Sequence, residues 1–210
     1  MYENIQFVVF DHSKPNQWLK AWLKQCDHVA LLSDLPINGG EFSDFIAMRR
    51  NQVAKWFLDN SELPWLVFVD HDHVIDENAD ALFGSDADVA AAAYVRANGT
   101  LAHDAEGSVG CGLLKMSRVA LLKIGSPWFQ FEFSDDGCSV KQCECGYFSA
   151  RARDAGYLPK KIGRVMHLVT TVSMPTVDGN AAVKFLKDVS ITTSTPSAHS
   201  ETHTHVGGQG

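Results

Sequence analysis

The residues with the most evident chemistry are the carboxylates and imidazoles of the segment VFVDHDHVID, residues 67–76. An apolar run ends there abruptly in Asp70 and Asp72. Residues two apart in an extended backbone point to the same side, so the two carboxylates would converge. Converging carboxylates suit a hard divalent cation. By the same alternation His71 and His73 would face the other side, where a metal that used both histidines would have to lie.

An acid at the end of a strand also has a purely structural interpretation. Asp commonly forms turns and caps helices, and Asp76 or Asn78 would cap a short helix at 77–83. The position of Asp70 and Asp72 after a hydrophobic strand favours a functional metal site, because ligands of open α/β sheets bind at the carboxyl ends of the strands.

The elements that must position these residues alternate between strands and helices. Apolar runs predict strands at 5–10, 28–33, 65–70, 88–95 and 164–169, an edge strand at 128–133, and a strand that leads into a helix over 110–124. Helices are predicted from about Pro15, from an N-cap at Ser43 to about Leu58, and over 143–156. Strands separated by helices of roughly ten to fifteen residues imply crossover connections. We therefore expect an α/β domain with a mixed, mainly parallel sheet flanked by helices.

Composition and charge narrow the class of protein. The chain has 210 residues, of which 45% are hydrophobic, and its formal charge of −7 argues against nucleic-acid binding by spread positive charge. No apolar run approaches the roughly 18 to 20 residues of a membrane span, and the N-terminus lacks the features of a secretory signal, so we expect a cytoplasmic protein without a membrane span. We expect residues 1–189 to form the domain. The segment 190–210 contains no Lys or Arg and is rich in Ser, Thr, His and Gly, so we expect a disordered tail.

Cysteines and tail histidines are weaker candidates for metal binding. The five cysteines are odd in number in a chain without an export signal, so we expect reduced thiols. Cys138, Cys143 and Cys145 crowd into CSVKQCEC and could offer zinc three thiolates, but their spacing is not that of a CxxC pair. The tail adds three histidines that we assign to no site: His199, His203 and His205.

Short motifs follow one another between about residues 5 and 170. They are MRRNQVAKWFLDN (48–60), WLVFVDHD (65–72), GCGLLKMSRVALLKIG (110–125), ECGYFSARARDAGY (144–157) and VMHL (165–168). Taken in this order, the motifs resemble a small GT-A-fold glycosyltransferase, similar to the family-two-like enzymes of bacteria and phages. In that family an Arg-Asn-bearing helix precedes a strand ending in the DxD motif, a glycine-rich strand follows, an acidic residue opens a later helix, and a His lies on the closing strand.

The resemblance implies a metal-dependent transfer of a sugar from a nucleotide-sugar donor to an acceptor hydroxyl. It makes Asp72 the metal-binding carboxylate, Asp70 a partner of the metal or of the donor's ribose, and His167 the remaining protein ligand. Mn²⁺ or Mg²⁺ would neutralise the charge that develops on the leaving diphosphate, and an imidazole ligand suits Mn²⁺ better than Mg²⁺. The acceptor is left open by the sequence.

Donor-binding residues are implied at four further positions. Arg49, Arg50 and Asn51 lie in a helix that leads back to the DxD strand, from which a guanidinium could reach the diphosphate or sugar. Adjacent helical residues diverge by about 100°, so we expect one arginine to point inward, and Arg50 is our choice together with Asn51. Asp11 and Asp34 follow the first two strands, where proteins of this fold usually bind the nucleoside base. Both residues also suit a turn or a helix cap.

The glycine-rich stretch and the acidic helix complete the implied site. The resemblance places Gly112 beneath the donor sugar. Two explanations for Gly110 and Gly112 stay open: the lack of a side chain lets backbone amides approach the ligand closely, or the chain forms a turn that requires positive φ. A transferase needs a general base on the acceptor hydroxyl, and Glu144 is the best candidate. Related enzymes open this helix with two acids, whereas Cys145 follows Glu144 here, so an acid at 135–136 could serve instead.

Two other functions fit the same residues. The Asp/His cluster near residue 70 could serve a metal-dependent hydrolase or nucleotidyltransferase. Cys145 in the acidic motif leaves open a catalytically inactive module that binds a nucleotide sugar. We expect the transferase, because it accounts for the order of all the motifs.

Overall fold

The structure, a computed structural model, describes residues 2–11, 15–36, 46–94 and 106–167, with the backbone alone for His167. The strands are β1 (Ile5–Phe10), β2 (His28–Leu31), β3 (Trp65–Asp70), β4 (His73–Val74), β5 (Val89–Tyr94), β6 (Leu113–Ser117), β7 (Glu132–Phe133), β8 (Val140–Gln142) and β9 (Lys160–His167). The α-helices are α1 (Gln17–Leu23), α2 (Ile46–Asn60), α3 (Asp80–Phe83), α4 (Arg118–Ile124) and α5 (Glu144–Asp154). Short 3₁₀ helices lie at Leu32–Asp34 and Glu77–Ala79.

The main sheet is mixed but mainly parallel, as the sequence predicted. Its order among the described strands is β2-β1-β3-β6-β5-β9-β4. Strand β1 pairs in parallel with β2 and β3, and β5 pairs in parallel with β9. Strand β6 is antiparallel to both of its neighbours, β3 and β5, and β4 is antiparallel to β9. Strands β1, β2, β3, β5 and β9 therefore run in one direction, and their carboxyl ends share one edge.

Helices cover both faces of this sheet. On one face the helices α2, α4 and α5 enclose a core around Phe10, Phe68 and Phe148. On the other face α1 and α3 pack over a second core that contains Phe7 and Trp22. Successive strand residues point to opposite faces, so the burial of every residue of β1, all of them apolar except Gln6, indicates a strand covered on both sides.

Helix boundaries follow local capping chemistry. Helix α1 begins after Asn16, whose Oδ1 accepts a hydrogen bond from the amide of Leu19 at 2.8 Å. Asp76 caps the 3₁₀ turn at Glu77–Ala79 by accepting from the amide of Asn78, which confirms one structural interpretation of that acid. The predicted N-cap of α2, Ser43, lies outside the described residues.

The predicted edge strand at 128–133 is mostly wrong. Only Glu132–Phe133 is extended and paired, and it pairs with β8 in a separate two-stranded sheet. Trp128 and Phe129 are instead buried in the core beside α2. Their backbone amides both donate to Oδ1 of Asn51, so this segment satisfies its polar groups without joining the main sheet.

Two further expectations concern the C-terminal tail and the absence of a membrane span. The tail at 190–210, with its three histidines, lies outside the described residues. Within the residues that are described, we find no helix that combines the length and the apolar character needed to cross a membrane.

Candidate functional site

The candidate site begins where β3 ends. Asp70 is the last residue of the strand, and the chain turns at His71 and Asp72 before β4 starts at His73. One ligating atom from each of Asp70, Asp72 and His73 lies within 4.8 Å of the others. A pair of carboxylates and an imidazole thus converge at the carboxyl end of a central strand, the position at which open α/β sheets bind ligands.

The turn corrects the alternation argument made from the sequence. Strand parity places His73 opposite the two aspartates, but that parity ends at Asp70 because the next two residues form a turn. His73 lies on the side of the carboxylates, and its Nδ1 is 3.3 Å from Asp72 Oδ1. His71 is directed elsewhere, with its Nδ1 3.1 Å from the carbonyl of Phe10. His73 is therefore a member of the cluster, contrary to the prediction from strand parity.

Asn16 stabilises the turn between β3 and β4 through hydrogen bonds to its backbone. Its Nδ2 donates to the carbonyl oxygens of His71 at 3.0 Å and His73 at 2.9 Å. The same side chain caps α1, so one residue joins the start of this helix to the turn. An Asn directly before a predicted helix was a visible N-cap signal, but its contact with residues 55 or more positions away carried no signal in the sequence.

Gly112 is required by close packing rather than by an unusual backbone angle. Glycines of positive φ occur in the described chain, but Gly110 and Gly112 are not among them. A Cβ at Gly112 would lie 2.4 Å from His73 Cε1 and 3.0 Å from Asp70 Oδ2. The carbonyl of Gly112 also accepts the amide of Asp70 at 2.7 Å. The space above Gly112 is thus filled by the side chains of the cluster itself.

Arg50 joins the cluster to the acidic helix α5. Its Nη2 lies 3.2 Å and 3.3 Å from the two carboxylate oxygens of Asp70, and its Nη1 lies 2.5 Å from Glu144 Oε1. Arg50 is 3% exposed, while Arg49 is half-buried and hydrogen-bonds Gln52. Helical spacing predicted one inward arginine, and the structure shows that it is Arg50.

The buried guanidinium stays charged because its neighbours offset the cost of burial. Burial by itself lowers the pKa of Arg50, but the carboxylates of Asp70 and Glu144 raise that pKa above its ordinary value. A charge removed from water needs such partners. The arrangement therefore fixes one positive charge between two acidic side chains.

Cysteines surround the Arg50–Glu144 pair. Cys145 Sγ lies 3.4 Å from Glu144 Oε1. The pKa of Cys145 is raised well above its usual value, first by a hydrogen bond with Cys111. The pKa of Cys143 is raised by a hydrogen bond with Cys145 and then by burial. The thiols of Cys143 and Cys145 are therefore protonated at neutral pH.

The three thiols considered for zinc do not come together as a set in the described chain. Cys138 is exposed, and Cys143 caps α5 through its Sγ. Metal-ligating atoms of Cys143 and Cys145 lie within 4.8 Å of each other and of Glu144, a group that excludes Cys138.

The remaining predicted residues lie at several places around the sheet. Asp11 accepts hydrogen bonds from the amide and hydroxyl of Ser33 at 3.0 Å and 2.6 Å, and so ties the end of β1 to the turn after β2. Asp34 is exposed at the end of that turn. The side chain of Asn51 accepts from the amides of Trp128 and Phe129 and donates to the carbonyl of Phe129.

Two acids and one histidine of the predicted site lie in the β7–β8 hairpin and on β9. Asp135 and Asp136 are exposed in the β7–β8 hairpin, where Asp136 accepts hydrogen bonds from Ser134 Oγ and from the amide of Cys138.

The backbone of His167 lies opposite that of His73 in the antiparallel β4–β9 pair. The proposed ligation by His167 lies outside what is described, because the described part of this residue is its backbone.

Comparison with known proteins informs the fold. No family model and no curated protein matches the sequence. The chain is similar to a solved structure described as "Crystal Structure of A197 from STIV", with a TM-score of 0.52 and 19% identity, over 79% of this chain and 85% of that one. At this identity the similarity bears on the fold alone, and it agrees with an α/β architecture.

Proposed function

We propose that the protein is a metal-dependent glycosyltransferase of the GT-A fold, which moves a sugar from a nucleotide-sugar donor to an acceptor hydroxyl. The observation that carries this proposal is the convergence of Asp70, Asp72 and His73 at the carboxyl end of β3. The order of motifs along the chain supports the same function by resemblance.

The residues present fit a divalent cation. Two carboxylates and an imidazole form a mixed oxygen and nitrogen donor set, which suits Mn²⁺ better than Mg²⁺. Gly112 keeps the space that His73 needs beside Asp70, because any side chain there would collide with both. Such a cation would supply positive charge to a leaving diphosphate. Asp70, Asp72 and His73 would hold it, with His167 as a further ligand implied by the resemblance.

Arg50 supports the site by positioning other residues. A guanidinium that is 3% exposed and already bonded to Asp70 and Glu144 is poorly placed to form a bidentate contact with a ligand. We therefore assign Arg50 to orienting Asp70, whose side chain is 28% exposed and so can still face a ligand. This differs from the direct donor contact that the resemblance implies for Arg50.

Glu144 remains our candidate for the general base. Its side chain is 11% exposed, and its Oε1 is bonded to Arg50 and to the thiol of Cys145. These bonds fix the orientation of the carboxylate, which is what a base aimed at an acceptor hydroxyl requires. Asp135 and Asp136 are the alternative, because their hairpin is exposed and precedes α5 directly.

The nucleoside end of the donor is assigned to the edge formed by β1 and β2. Asp11 already bridges the two strand ends through Ser33, and Asp34 lies exposed beside them. Either carboxylate can accept hydrogen bonds from a base or ribose. Asn51 acts at a distance by fixing the segment that carries Trp128 and Phe129 against α2.

Thermal unfolding with ligands tests the proposal. The protein is heated with Mn²⁺ and, separately, with UDP-, GDP-, CDP- and dTDP-sugars, alone and combined. A ligand at about 100 times its Kd adds about 2.7 kcal/mol, which raises the Tm of a chain of this size by roughly 5–10 °C. We expect such a shift with one nucleotide class in the presence of Mn²⁺.

A matched pair of variants localises the effect. Asp72→Asn should abolish the metal-dependent shift, whereas Asp59→Asn, which alters an exposed acid paired with Lys55 on α2, should retain it. A shift that survives in Asp72→Asn contradicts the assignment. Transfer is then measured with the donor so identified, and loss of turnover without loss of binding in Glu144→Gln supports the base.

One observation favours the second candidate, a metal-dependent hydrolase or nucleotidyltransferase. His73 joins the two aspartates, which gives the compact Asp/His cluster that such enzymes use. A thermal shift with Mn²⁺ alone, and none with any nucleotide sugar, would favour this candidate. Nucleotide-sugar binding without turnover in the unaltered chain would favour the inactive module.

A further inference from the structure

A cavity of about 470 Å³ lies on the α1 side of the sheet, between α1 and the segment that follows β4. Its lining includes three aromatic side chains and three carboxylates: Tyr2, Trp18, Trp22, Asp76, Glu77 and Asp80. This volume is within the range of about 300–1,000 Å³ that small-molecule sites occupy. None of the residues proposed above to hold the metal or the donor lines this cavity.

The aromatic wall is preformed. The ring centroid of Tyr2 lies 6.2 Å from that of Trp22 and 5.1 Å from that of Phe83, and Phe83 in turn lies 5.3 Å from Trp22. Trp22 is 8% exposed and so is fixed by the core. Trp18 lies one helical turn before Trp22 on the same face of α1 and is 44% exposed. A ligand would therefore meet a rigid ring at the back and an accessible ring at the entrance.

Hydrogen bonds hold two of the three acids at the rim, and the described residues that line the cavity include no cationic residue. Asp80 Oδ1 accepts the hydroxyl of Tyr2 at 2.7 Å, and Asp76 Oδ1 accepts the amide of Asn78 at 2.9 Å. Glu77 is exposed between them in sequence. The lining thus combines aromatic side chains with a formal charge of −3 from these three acids.

We propose that this cavity binds an organic cation, a guanidinium or alkylammonium group carried on an apolar stem. Aromatic faces attract such cations through their quadrupole, and the attraction grows when the cation is partly removed from water. The three carboxylates add Coulombic attraction and direct hydrogen bonds to the N–H donors of the head group. The apolar stem packs along Trp18. The same head group can come from a free alkyl cation or from an arginine side chain of a peptide, and the test separates these sources.

Binding is measured by NMR on the full chain labelled with ¹⁵N, which contains five Trp indole N–H groups. Agmatine represents the free cation, and a terminally blocked Gly-Arg-Gly peptide represents the peptide source. A matched peptide with citrulline in place of Arg has nearly the same shape and no charge. We expect dissociation constants of about 1 mM, given the small size of these probes, and shifts confined to the indoles of Trp18 and Trp22.

Variants then test each part of the site. Trp18→Leu and Glu77→Gln should each weaken binding by about threefold to tenfold, in line with the strength of one cation–π contact or one charged contact. Both residues are exposed, so neither change threatens folding. Glu62→Gln makes the same substitution at an exposed acid that does not line the cavity, and it should bind as the unaltered chain does.

Each outcome bears on the proposal. Binding of agmatine or the Arg peptide that is weakened by the two cavity variants supports it, and the tighter binder identifies the source. No indole shift with either probe up to about 20 mM, equal binding of the citrulline peptide, or equal loss in Glu62→Gln overturns it. The result is independent of the glycosyltransferase proposal, since metal and nucleotide-sugar binding are not measured.

Discussion

Removal of Arg50 should destabilise the fold because two acidic side chains would lose their shared partner. Arg50 and Glu144 are 3% and 11% exposed, with their atoms 2.5 Å apart, and Asp70 is the second partner of the same guanidinium. Breaking a buried ion pair by deleting one member costs about 3–5 kcal/mol. Asp70 is 28% exposed and retains access to water, so we place the cost of Arg50→Met at about 3 kcal/mol.

A double-mutant cycle isolates this interaction. Urea unfolding is measured for the unaltered chain, Arg50→Met, Glu144→Gln and the double variant. Because Gln at position 144 carries no charge to be left unpaired, the double variant should be more stable than the sum of the two single losses predicts, by about 1–3 kcal/mol. Additive losses, or a cost below about 1 kcal/mol for Arg50→Met, would refute the reasoning that Arg50 compensates two acids.

Two further predictions concern packing and pH. Gly112→Ala should lower the free energy of unfolding by about 1–3 kcal/mol, because the added Cβ overpacks against the buried His73. The same change should weaken Mn²⁺ binding. The control Gly84→Ala, whose added Cβ would lie 3.6 Å from its nearest atom, should be close to neutral in urea unfolding and in metal binding. Burial lowers the pKa of Lys115 to about 8 in the folded chain, whereas the pKa of a lysine in the unfolded chain is about 10.4. Between these two pH values the unfolded chain binds more protons than the folded chain, so the free energy of unfolding rises with pH. The free energy of unfolding, taken relative to Lys115→Met at each pH, should therefore increase by about 2–3 kcal/mol between pH 7.5 and 10.5, and a flat or falling difference would contradict this assignment.

Strands β1 and β3 were predictable because they are apolar at nearly every position. Ile5–Phe10 and Trp65–Asp70 match their predicted bounds, since a strand buried on both faces leaves a continuous hydrophobic signal. The insertion of β6 between β3 and β5 could not be read from the sequence. Strand order depends on contacts between segments that are distant in the chain, and local periodicity contains no information about such contacts.

The candidate site was predictable only in part, for the same physical reason. Helical spacing indicated one inward arginine, and strand-end position singled out Asp70 and Asp72. The inclusion of His73 was missed because a two-residue turn cancels strand alternation. The bridge from Arg50 to Glu144 spans 94 positions, and no local pattern encodes a contact of that range.

The proposed function depends above all on metal binding at the carboxyl end of β3. The most direct test titrates Mn²⁺ into the protein and follows the EPR signal of free Mn²⁺, for the unaltered chain and for Asp72→Asn, His73→Gln and Asp59→Asn. We predict one Mn²⁺ bound per chain, with affinity reduced at least about tenfold in Asp72→Asn and His73→Gln, as expected when a ligand is lost, and unchanged in Asp59→Asn. Equal Mn²⁺ binding by all four proteins, or no binding by the unaltered chain, would contradict the claim.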